Sequence, residues 1–246
     1  MLALARVLAA AAALMLFAAP ARADDGATRA EFEQLIKDYL TRNPEVVQDA
    51  LDLLENRKAA AKAEKQKAAI KANYADIFSS TRQVTLNRNG DVTLVEFFDY
   101  NCGFCKRALS DLLDLMKADP NLRVVLKELP ILGPGSVEAA RVAVAVRMQD
   151  PGGAKYLEFH RKLLENRGPN DKARALAAAQ EAGLDMARLN RDMASEEVGR
   201  TIDESARLAK ALGINGTPGY VVGDKVTVGA LGQSVLKEKV DAARNF

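Results

Sequence analysis

Only two cysteines, Cys102 and Cys105, occur in the 246 residues, and just two residues separate them. They stand between an apolar, strand-like run, Val92 to Phe98, and a helical pattern that starts near Lys106. On the opening turn of a helix, positions i and i+3 share a face, so the two sulfurs can bridge with little backbone movement. The helix end adds unsatisfied N–H groups and the positive end of the macrodipole. Both favour thiolate over thiol at Cys102, and thiolate is the form that attacks a disulfide. The spacing therefore reads as a redox-active disulfide in which Cys102 is the nucleophile and Cys105 the resolving thiol.

Competing chemistries fit the residues less well. A structural zinc site needs four Cys or His ligands, and beyond this pair the chain offers only His160. No metal is expected. Haem attachment needs His after the second cysteine, where Lys106 stands. A static structural disulfide is the bland alternative, but so short a loop removes little unfolded-chain entropy. His160 reads as a packing or surface residue, and no cofactor is expected.

The pair needs a compartment and a scaffold. Arg6, an apolar run from Val7 to Phe17 and the small-x-small site Ala21-Arg22-Ala23 read as a signal peptide over residues 1–23. The run is too short to span a bilayer, which takes about 20 residues. An exported, oxidising setting favours disulfide exchange over a metal clip. The formal net charge is only +2 and tryptophan is absent, so no nucleic-acid partner is expected.

Two apolar stripes precede the catalytic region. Phe32, Leu35, Ile36, Tyr39 and Leu40 recur at helical spacing; Asn43-Pro44 reads as cap and first-turn proline of a second helix carrying Val47, Ala50, Leu51 and Leu54. A polar helix follows, in which Arg57, Lys58, Lys62, Lys65, Lys67 and Lys71 face only Glu64. That run reads as a solvated spacer about 20 Å long, with little apolar surface to dock elsewhere. So short an apolar segment forms no core alone, and the stripes are expected to meet another subunit.

From Gln83 onward the order of elements is that of an α/β domain. Val84–Leu86 and Val92–Phe98 read as strands, then come the cysteine helix to about Lys117 and a strand from Leu122 to Leu129. Five helical patterns from Val137 to Leu212 form an insertion, before strands at Tyr220–Val222 and Val226–Val228 and a closing helix from Ser234 to about Ala243. Glu96 is a carboxylate inside the otherwise apolar strand, costly there unless paired or exchanging a proton.

At the residue level, Val95-Glu96-Phe97-Phe98-Asp99-Tyr100-Asn101-Cys102-Gly103-Phe104-Cys105-Lys106 resembles the active-site signature of the DsbA-like thioredoxin-fold oxidoreductases. Leu129-Pro130-Ile131-Leu132-Gly133-Pro134 and Gly213-Ile214-Asn215-Gly216-Thr217-Pro218 resemble its later landmarks. The N-terminal stripes resemble the oligomerisation segment of the ScsC (suppressor of copper sensitivity) branch, whose characterised members include trimeric disulfide isomerases. The resemblance implies an α/β thioredoxin fold over residues 79–246, with a helical insertion at about 134–212. Before it comes a helical oligomerisation region and linker, residues 24–78.

For the site, the resemblance implies that Pro218 is the family's cis-proline, that Gly103, Phe104, Thr217 and Pro218 meet the substrate, and that Glu96 is the buried acid exchanging a proton with Cys105. Gly103-Phe104 stands where DsbA has Pro-His, which removes a cation beside the thiolate and implies a less oxidising disulfide. The expected function is thiol–disulfide exchange in the periplasm, as an isomerase of misoxidised exported proteins, with a membrane redox partner and a homotrimeric assembly. The alternatives are a net oxidase or reductase, or a Cu(I) clip in copper tolerance.

Overall fold

A computed structural model describes residues 28–245; the expected signal peptide lies outside them. By compactness the chain divides between Lys58 and Ala59.

In the first unit, α1 (Arg29–Arg42) opens on a capping box. Thr28 Oγ1 accepts from the Glu31 backbone N–H, and the Glu31 carboxylate accepts from the Thr28 N–H at 2.7 Å. The helix buries no residue, and Phe32, Leu35, Ile36 and Tyr39 are exposed. Asn43 does not cap the next helix as expected: its side-chain amide donates to Tyr39 O at 2.8 Å and closes α1. An asparagine between two helices can serve either, and here its side-chain amide joins its own backbone N–H on the Tyr39 carbonyl. After Pro44, α2 (Glu45–Ala72) is one continuous helix in place of a short helix and a separate polar one, because its Lys/Ala stretch has high helix propensity. Val47, Leu51 and Leu54 on it are exposed.

The second unit corrects the reading of that polar stretch as an undocked spacer. Ile70 is buried in one cluster with Ile77 and Phe78 of α3 (Tyr74–Phe78), with Ala69 packed against it. Gln66 donates to Leu212 O at 2.9 Å, and Lys67 meets Asp224 at 3.5 Å. Residues 59–78 are thus part of the second unit's fabric.

The sheet runs β1 (Val84–Leu86), β3 (Leu122–Glu128), β2 (Val92–Phe98), β4 (Gly219–Val222), β5 (Lys225–Val228). β2 and β3 are parallel, with Glu96 opposite Leu126; the remaining neighbours pair antiparallel, with Glu96 opposite Tyr220. Alternation along β2 divides the core. Val92, Leu94 and Phe98 join the cluster beneath the cysteine helix α4 (Gly103–Ala118), the inserted helices and α10 (Gln233–Arg244). Val95 and Phe97 join Ile70, Ile77, Leu208 and Leu212 on the other face.

The insertion comprises α5 (Pro134–Gln149), α6 (Ala154–Glu165), α7 (Lys172–Glu181) and α8 (Met186–Asp192). The last expected member, α9 (Glu196–Leu212), instead covers the sheet itself through Leu208 and Leu212. Lys127, fully buried on that face, donates to Asp76 O at 2.8 Å and lies 3.6 Å from Glu204, tying α3 and α9 to β3. Among the described residues no helix is long and apolar enough to cross a membrane.

Candidate active site

Strand β2 ends at Phe98, and four residues later the chain enters α4 with Cys102 as its N-cap. Short bonds make the turn: Cys102 N–H donates to Asp99 O at 3.1 Å, and Lys106 N–H to Cys102 O at 3.0 Å. Both thiols are free. Cys102 retains 6% exposure and its Sγ–H donates to the Thr217 carbonyl at 3.1 Å, whereas Cys105 is fully enclosed. Thr217 precedes Pro218 in a cis peptide bond, and Gly219 behind them lacks a side chain where a Cβ would lie 2.6 Å from Ile214 Cγ2. Cys102, Cys105, Thr217 and Pro218 thus converge from opposite ends of the domain.

The two sulfurs differ in electrostatics as well as access. Burial, and then the neighbouring Glu96 charge, push the Cys105 pKa well above the ordinary thiol range, so this sulfur keeps its proton. Glu96 is 3% exposed on the same sheet face, and burial pushes its carboxyl up to about 8 against the opposing pull of the Tyr220 hydroxyl, which donates to it at 3.4 Å.

This carries a pH dependence. The folded state holds a Glu96 proton that the unfolded chain releases in the ordinary carboxylate range, so burial of this group costs nothing below about pH 4 and progressively more up to about pH 8. Glu96→Gln is expected to flatten the fall in stability across that window, by at most about 5 kcal/mol. Denaturant titrations at several pH values check it; parallel curves for the two proteins would refute it.

Gly103 and Phe104 form the rim. A Cβ at Gly103 would meet nothing within 4 Å, and Phe104 is 56% exposed with the Arg107 guanidinium 4.3 Å over its ring. His160 sits away from the thiols in a buried aromatic cage of Phe98, Tyr100 and Tyr156; burial holds its pKa down at about 3, leaving a neutral packing imidazole.

Sequence reasoning missed the polar scaffold of the site. Buried Asp99 accepts from Asn101 N–H (2.7 Å) and Ser136 Oγ (2.8 Å) through one oxygen, and from Ile131 N–H (2.8 Å) and Leu132 N–H (3.0 Å) through the other. It locks the loop after β3 to the cysteine turn. Asn101 in turn exchanges two hydrogen bonds with the Asn170 backbone, and the Asn170 side chain donates to Tyr100 O and Leu163 O. The one local signal was a run of short polar residues directly after an apolar strand. Asp99→Asn turns an NH2 group either toward the Ile131 and Leu132 N–H groups or toward the Asn101 N–H and the Ser136 hydroxyl, leaves at least one N–H donor unpaired, and is expected to cost about 1–3 kcal/mol of stability, measurable by urea titration.

Residues 93–241 match the family model of the DSBA-like thioredoxin domain. The chain belongs to that family. Residues 29–61 also match the copper resistance protein ScsC N-terminal domain. Among solved structures, this DSBA-like chain is 45% identical to a thioredoxin-like oxidoreductase from Silicibacter pomeroyi, covering 70% of this chain and 98% of that one with a TM-score of 0.66. The thiol-disulfide exchange protein α-DsbA2 from Wolbachia pipientis is 31% identical over 74% of this chain and 97% of its own, with a TM-score of 0.68. Proteus mirabilis ScsC, in a transitional conformation, is 25% identical over 88% and 96%, with a TM-score of 0.66. A curated relative, the Na(+)/H(+) antiporter NhaA 1 of Salinispora arenicola, is 29% identical over 158 residues; the chain spans 24% of that protein's length and the match covers 63% of this chain. Membership of the DSBA-like family supports a thiol–disulfide oxidoreductase of the DsbA and ScsC type.

Proposed function

We propose that the protein is an exported thiol–disulfide oxidoreductase that reshuffles wrong disulfides in periplasmic clients as a homotrimer. The observation that carries the exchange chemistry is the inequality of the two thiols, one at a helix start beside the Thr217 carbonyl, the other enclosed and holding its proton. In the reaction the Cys102 thiolate attacks a client disulfide, forming a mixed disulfide and releasing one client thiolate. A second client thiol can then attack the client sulfur of that bond, freeing Cys102 and leaving a rearranged client. When no client thiol arrives, Cys105 passes its proton to the ionised fraction of Glu96, whose pKa of about 8 leaves a minority deprotonated near neutral pH, and attacks Cys102 Sγ, so the client leaves reduced and the pair leaves oxidised. A membrane thiol–disulfide partner would then re-reduce the pair. Thr217 and Pro218, with the exposed Gly103 and Phe104, would frame the client segment.

Isomerisation over net oxidation is supported by two features. No cation stands between the cysteines to stabilise the thiolate beyond what the helix supplies. The exposed apolar side chains of α1 and α2 would assemble several sites around one client, raising their effective concentration. Recovery of activity from a scrambled-disulfide substrate, compared with oxidation of a reduced one, tests this. A protein that oxidises reduced clients but leaves scrambled ones inactive would be an oxidase.

A further inference from the structure

A cleft of about 560 Å³ opens beside Gly103, on the side of Cys102 facing the inserted helices. Its walls come from three segments: Asn101, Gly103 and Lys106 at the start of α4, Leu132 in the loop after β3, and Arg167 and Asn170 before α7. These walls are internally bonded. Asn101 and Asn170 pair across the cleft floor, and Lys106 Nζ donates to Asn166 O at 2.6 Å and Gly168 O at 2.9 Å. Little in the cleft is left to be satisfied by rearrangement.

The charges around it are unequal. Arg167 is exposed and makes no ion pair or hydrogen bond among the described residues. Lys106 is bonded only to neutral carbonyls, and Arg107 lies over the Phe104 ring. Of the neighbouring carboxylates, Asp99 is buried under four donors and Glu96 is buried beneath the pair, while Asp171 lines the cleft and keeps its charge, one oxygen accepting from the Arg174 N–H that it caps, so Lys106 and Arg167 stand against one exposed carboxylate. A client segment bound across Cys102 therefore meets a rim with a net positive charge beside Gly103, the residue that follows the reacting cysteine.

We propose that this cleft is a client subsite that receives an acidic side chain flanking the client's reactive cysteine, with Arg167 as the residue that sets the preference. The proposal rests on the exchange reaction proposed above and names part of its substrate class. Peptides bind here as extended segments, and the side chain adjacent to the cysteine is the one that reaches a wall next to Gly103. An exposed ion pair of this kind is worth a few-fold in rate and weakens with salt.

The test uses the full chain and three peptide disulfides that differ only in carrying Glu, Gln or Lys beside the cysteine, with 2-hydroxyethyl disulfide as an uncharged small substrate. The expected order of second-order rate constants is Glu, then Gln, then Lys, with the extremes about fivefold apart at low salt and converging at high salt. Arg167→Glu is expected to invert the order. The readout is the ratio between peptides, which a general loss of reactivity does not move. Equal constants for the Glu and Lys peptides, or an unchanged ratio in Arg167→Glu, overturns the subsite while exchange itself stands. Failure of every peptide and of 2-hydroxyethyl disulfide to react overturns both readings together.

Discussion

Cys102→Ser is expected to reduce dithiol–disulfide exchange to the uncatalysed level, while Cys105→Ser should accumulate mixed disulfides with clients. The asymmetry follows from position. Cys102 caps α4 with its sulfur beside Thr217 and keeps 6% exposure where Cys105 keeps none, so it is the thiol a client disulfide can reach. Cys105 is fully enclosed and held protonated by burial and by Glu96, which makes it inert until an attached client puts a disulfide within its reach. Removing the first thiol removes attack; removing the second removes only the escape route. Limited alkylation of the reduced protein followed by peptide mapping provides the check. Cys102 should be labelled first, and equal labelling of both thiols at neutral pH would sink the assignment.

Much of this arrangement is legible in the chain because local pattern and tertiary role agree. β2 is apolar at almost every position since both of its faces are covered, and its bounds coincide with the apolar run Val92–Phe98. α9 carries a clear stripe, and its ends at Glu196 and Leu212 match the periodicity. The cysteine spacing and the Thr217-Pro218 dipeptide are marked in sequence even though more than a hundred residues separate them. Other features leave no local trace. Ile70 is one aliphatic residue in a Lys/Ala run, and only the arrival of α3 and α9 makes it core. Asn43 carries the same cap chemistry whichever helix it serves. The Asn101–Asn170 pair joins positions 69 apart, and Asp99 gathers donors from the far side of β3. Long-range polar pairing of this kind has no periodicity, so residues of ordinary type conceal it.

Where the assembling segment ends decides the other large effect. A variant beginning at Ala59 is expected to be a folded monomer that retains exchange with small disulfides but loses most reshuffling of scrambled clients. It lacks Phe32, Leu35, Ile36, Tyr39, Val47, Leu51 and Leu54, all exposed and without a core of their own, whose burial by other copies would drive association. The catalytic pair and the Pro218 loop are untouched. A variant beginning at Ala72 should behave differently, because it also removes Ile70 from the buried cluster of Ile77, Phe97 and Leu208 and the Gln66 bond to Leu212 O. Loss of a buried isoleucine costs about 2–5 kcal/mol, so this shorter protein should unfold at distinctly lower denaturant than the one starting at Ala59. Light scattering reads the assembly and urea titration the stability. A monomeric full-length protein, or a variant from Ala59 that still oligomerises, would defeat the role given to α1 and the first turns of α2; equal stability of the two truncations would show that Ile70 adds nothing to the core it lies in.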